Sequence, residues 1–76
     1  MLFYFKLTDG SIVEDIEGLE LPDLAAAREE AVGLARDLTR ATFGRRRDWS
    51  NWTVIVADDS GEQVLRVPIS ENRAGN

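Results

Sequence analysis

This chain encodes an α+β domain of ββαββ order: a four-stranded antiparallel sheet in the spatial order 2-1-3-4, with one helix packed on one face. Three features of the sequence predict it. An aromatic run at residues 2–7 ends at Asp9-Gly10, residues 24–42 repeat apolar positions with helical spacing, and two short apolar runs flank Asp59-Ser60-Gly61. Seventy-six residues make one domain at most. We set it at residues 1–69, with 70–76 as a disordered polar tail.

The first strand spans residues 2–7. Phe3, Phe5 and Leu7 share one face by the period-two rule, and Leu2, Tyr4 and Lys6 share the other. Asp9-Gly10 reads as a primed hairpin turn, because glycine tolerates positive φ there. The return strand is expected at residues 11–15. Residues 14–23 then read as an acidic connector punctuated by Gly18 and Pro22, with Ile16, Leu19 and Leu21 tucked beneath the sheet or the helix.

The helix is expected to start at Asp23, whose carboxylate caps orphan amides at the positive helix end. Leu24, Ala27, Ala31, Leu34, Ala35, Leu38, Ala41 and Thr42 form its apolar stripe. Arg28, Glu29, Glu30, Gly33, Arg36, Asp37 and Arg40 take the other side. Gly44 is a natural stop, and Arg45, Arg46 and Arg47 complement the negative helix end. Residues 52–58 form the third strand and 63–69 the fourth. Pro68 lacks an amide donor, which sends the fourth strand to an edge.

With the most apolar strands central, the helix-facing set is Phe3, Phe5, Leu7, Trp52, Val54, Val56, Leu65, Val67 and Ile69. The uncovered face then holds Leu2, Tyr4, Lys6, Thr53, Ile55, Ala57, Val64, Arg66 and Pro68, which is more apolar than a solvated face requires.

Composition removes most chemistry. Without cysteine or histidine there is no disulfide framework, thiolate metal site, imidazole shuttle or histidine-based catalytic triad. The acidic run of Glu14, Asp15, Glu17, Glu20 and Asp23 fails the ligand spacing of a calcium loop, and Asp58-Asp59-Ser60-Gly61 reads as a hairpin turn. No Gly-rich phosphate loop is present, and Lys6 is the only lysine. We therefore nominate no catalytic, cofactor-binding or metal-binding residue and no cofactor, although spacing alone cannot show whether two carboxylates converge. No apolar run approaches the roughly 20 residues of a membrane span, and a cytoplasmic setting is expected.

Charge is uneven: the net is −5 over residues 1–23, +3 over 24–47 and −3 over 48–76, for a total of −5. An acidic chain is repelled by nucleic acid overall. The one basic cluster with neighbouring aromatics, Arg45, Arg46 and Arg47 followed by an exposed Trp49, is the alternative site, suited to single-stranded nucleic acid. The preferred reading is an interaction module. It docks a protein partner, or a second copy as a homodimer, through the open sheet face, with Tyr4, Ile55 and Arg66 near the middle.

The segment Asp15-x-Glu17-Gly18-x-Glu20-Leu21-Pro22-Asp23-Leu24-x-Ala26-Ala27 resembles that of a bacterial domain-of-unknown-function family of very short proteins. Phe3-Tyr4-Phe5, Asp9-Gly10, Trp52-x-Val54-x-Val56-x-Asp58, Gly61 and Val67-Pro68 add to the likeness, which spans residues 3–69. Lys6 departs from the usual acidic or polar residue at its position. The resemblance implies no assigned activity and supplies no catalytic or binding residue.

Overall fold

Four antiparallel strands in the order 2-1-3-4 and one helix build the computed structural model, which describes residues 1–40 and 49–71. The strands are β1 (Leu2–Thr8), β2 (Val13–Glu20), β3 (Thr53–Ala57) and β4 (Gln63–Pro68); the helix, α1 (Leu24–Arg40), joins the two hairpins. A turn of 3-10 helix, Ile69–Glu71, follows β4. The expected helix stop at Gly44 and the last stripe positions, Ala41 and Thr42, lie outside the described residues.

Alternation along β1 works as read: Phe3, Phe5 and Leu7 are buried and Tyr4 is exposed. Val54 and Val56 on β3, Val67 on β4 and Ile69 join them beneath the helix, with Trp52 and Leu65 half-buried against the cluster. On α1 the buried line is Ala27, Ala31 and Ala35, each fully inaccessible. Alanine at these positions lets the helix backbone lie close to the sheet, and Val32, Leu34 and Leu38 pack along its flanks. Leu24 leaves the expected stripe and is 43% exposed, sitting about 60° round the helix from Ala27. The Ala26 amide donates to Asp23 Oδ1 at 2.9 Å, which makes Asp23 the helix cap.

The first hairpin differs from the sequence reading. Its loop spans residues 9–12, not a two-residue primed turn. Asp9 Oδ1 accepts the amides of Ser11 and Ile12, both at 2.9 Å, and Gly10 takes φ +99°. These amides hold the Asp9 carboxyl below the usual carboxylate range. The return strand starts at Val13 and runs on to Glu20, so most of the expected acidic connector is strand. Met1 and Leu21 extend the ladder with paired hydrogen bonds at 2.8 Å. Because β2 is an edge, Glu14, Asp15 and Glu20 stay in water while its backbone pairs with β1.

Two β-bulges reset the alternation. Phe5 pairs with Glu17 and Lys6 with Asp15, which leaves Ile16 as the extra residue of β2. Val56 pairs with Leu65 and Ala57 with Gln63, which leaves Val64 extra on β4. Both bulged residues pack against the core. Val64, expected on the open face, therefore belongs to the helix side.

Trp49 also departs from expectation. It is 6% exposed and meets Trp52 edge to face, with ring centroids 6.0 Å apart and planes at 71°. An exposed indole was expected here, but the ring is buried in the core cluster.

Candidate interaction surface

Opposite α1, the register sorts the sheet into three cross-strand rows. Reading from β2 to β4, these are Gly18–Tyr4–Ala57–Gln63, Asp15–Lys6–Ile55–Arg66 and Val13–Thr8–Thr53–Pro68. No helix or strand among the described residues lies across them. A shallow depression covers the centre, with Lys6, Thr8, Thr53, Ile55, Gln63 and Arg66 in its lining.

The three residues singled out from the sequence come together here. Ile55 and Arg66 are direct cross-strand partners, and Tyr4 stands one row along on the neighbouring strand. Tyr4 is 41% exposed and Ile55 half-buried. A Cβ on Gly18 would stand 3.2 Å from Tyr4 Cδ1, so the tyrosine ring leans over the glycine and shields the bare backbone of the edge strand. Ala57, between Tyr4 and Gln63 in its row, is only 6% exposed.

Lys6 was expected on this surface from the sequence; Asp15 was not. Lys6 and Asp15 share the middle row with Ile55 and Arg66, so the row reads acid, base, apolar, base. Among the described residues, Lys6, Asp15 and Arg66 make no ion pair; the two pairs there are Met1 with Glu20 at 2.7 Å and Arg40 with Asp37 at 3.7 Å. Asp15 joins this row only because of the bulge at Ile16, and a bulge leaves no mark in hydrophobic periodicity.

On the helix side, two carboxyls converge. Glu17 on β2 meets Glu30 on α1, and the contact with partial burial pushes the Glu17 pKa up to about 7. Glu17 Oε2 is buried and accepts no hydrogen bond among the described residues. Two ionised carboxylates have no proton to share, whereas one protonated carboxyl donates to the other. No group of three or more metal-ligating side chains occurs among the described residues.

At the second hairpin, Asp58 Oδ1 accepts the Ser60 hydroxyl at 2.6 Å and the amides of Ser60 and Glu62 at 3.0 Å. The Ser60 hydroxyl, and next the Glu62 amide, hold its carboxyl below the ordinary range. With Gly61 at φ +90°, this is the hairpin turn read from the sequence. Of the basic cluster, Arg45, Arg46 and Arg47 lie outside the described residues. Trp49 is packed in the core and has little ring to offer a base.

Fold and surface define a small α+β domain whose helix packs on one face of a four-stranded sheet. The chain belongs to the family described as a domain of unknown function, DUF6894, whose model matches residues 2–70. No curated protein and no solved structure matches it. Among the described residues, no helix is long and apolar enough to cross a membrane.

Proposed function

We propose that this chain is a non-catalytic interaction module that holds a protein, itself or another, on the open face of its sheet. One observation carries the reading. Tyr4, Ile55 and Arg66 share a face that no described helix or strand covers, and that face mixes apolar side chains with charges that make no ion pair among the described residues. Such a surface gains from burial against a partner and carries the charges that would set its register. The nucleic-acid alternative is weakened by the burial of Trp49. We take the setting to be the cytoplasm of a bacterial cell, following the short-protein family that the segment 15–27 resembles.

Photo-crosslinking in living cells tests the reading. A benzophenone side chain at position 55 should give a covalent protein adduct, and the same group at position 28, on the exposed side of α1, should not. An adduct of twice the chain mass identifies a second copy, and any other mass identifies a different protein. No adduct at position 55, or equal labelling at both positions, overturns the proposal.

A further inference from the structure

We infer that the occupant of the open face is a second copy of this chain, related by a two-fold axis that runs parallel to the strands between β1 and β3. This rests on the interaction reading above and commits it to one partner and one geometry.

The argument starts from the rows. A two-fold axis in that position lays β2 of one copy over β4 of the other, and β1 over β3. In the middle row, Asp15 then faces Arg66 of the second copy, and Arg66 faces its Asp15. Lys6 lies over Ile55, where its aliphatic stem can cover apolar surface. In the outer rows Tyr4 faces Ala57, the largest side chain of its row against a small one, and Val13 faces Pro68. Every charged position of the middle row meets either its opposite or an apolar neighbour.

The other face-to-face symmetry fails on charge. A two-fold axis perpendicular to the strands and running along the middle row places Asp15 on Asp15, Lys6 on Lys6 and Arg66 on Arg66. Like charges brought together at an interface oppose docking. The order acid, base, apolar, base therefore selects the parallel axis. Aligned sheets packed about 10 Å apart are also the common way for two such faces to bury each other.

Four strands spaced about 4.8 Å apart, each about five residues long, present a patch roughly 19 Å by 17 Å. Closing two of them covers about 320 Å² of sheet on each copy, roughly 650 Å² in total, which is the size of a weak, transient interface rather than an obligate one. The dimer is thus expected to dissociate in the micromolar range.

Analytical ultracentrifugation of the full chain tests the arrangement through charge reversal. Wild type should be a dimer at high micromolar concentration. Asp15→Arg alone and Arg66→Asp alone should each associate at least tenfold more weakly, because each homodimer then holds two like-charge contacts. Both substitutions sit at exposed positions. An equimolar mixture of the two variants should regain wild-type association, since both contacts then join an arginine to an aspartate. The double variant Asp15→Arg/Arg66→Asp should regain it as well, which guards against a single variant that folds poorly. A wild-type chain that stays monomeric, or a mixture no better than its components, overturns the two-fold dimer. An adduct still formed at position 55 would then show that the face binds in some other way. Its absence would remove the interaction reading too.

Discussion

Glu17 points from an edge strand toward Glu30 on the helix, and this contact raises its pKa. An unfolded glutamate has a pKa of 4.5 and the folded one about 7, so the native state holds the extra proton between those values. Stability from this group is full below pH 4.5, declines as pH rises toward 7 and stays reduced above it. The shift corresponds to no more than about 3 kcal/mol, less whatever solvent screening removes. Asp9 and Asp58 act in the opposite sense. Their lowered pKa values favour the fold above the ordinary aspartate value of 3.8, and that contribution is lost on further acidification. Thermal melts at pH 5 and pH 8 therefore isolate Glu17: wild type should melt higher at pH 5. Glu17→Gln should flatten the difference and raise the melting temperature at pH 8. An unchanged pH dependence in the variant would disprove the assignment. None of this was legible beforehand, because residues 17 and 30 meet only once β2 and α1 have docked. Trp49 teaches a similar lesson, since its place after three arginines suggested solvent and its place in the fold is the core.

The helix shows what patterning reveals at the level of one element. Its apolar periodicity located both the element and its cap, and alanine at three successive turns announced close contact with the sheet. Two substitutions two residues apart should act in opposite directions. Ala31 is fully buried, so Ala31→Leu forces extra methylenes into packed space and should cost about 1–3 kcal/mol in chemical denaturation. A Cβ at Gly33 would meet nothing within 4 Å, so Gly33→Ala should stabilise by about 0.5–1 kcal/mol. Equal effects of the two changes would contradict the packing described here. Strand β2 was the least legible element. Its acids and Gly18 argued for a connector, yet pairing to β1 outweighs weak strand propensity when the side chains can stay solvated on an edge.

For the molecule as a whole, the two-fold dimer links stability to concentration. The wild-type melting temperature should rise with protein concentration across the micromolar range, and Arg66→Asp should remove that dependence. A concentration-independent wild-type melt would count against association. Fold class, strand order, the helix and the sidedness of the sheet were all readable from the chain. They depend on local rules: alternation within β1, helical spacing in α1, a proline confined to an edge and glycines at the turns. The bulges at Ile16 and Val64, the burial of Trp49, the Glu17–Glu30 contact and the acid-base-apolar-base row were decided only by tertiary structure. Each depends on which residues of separate elements are set side by side, and periodicity within one segment carries no record of register between two.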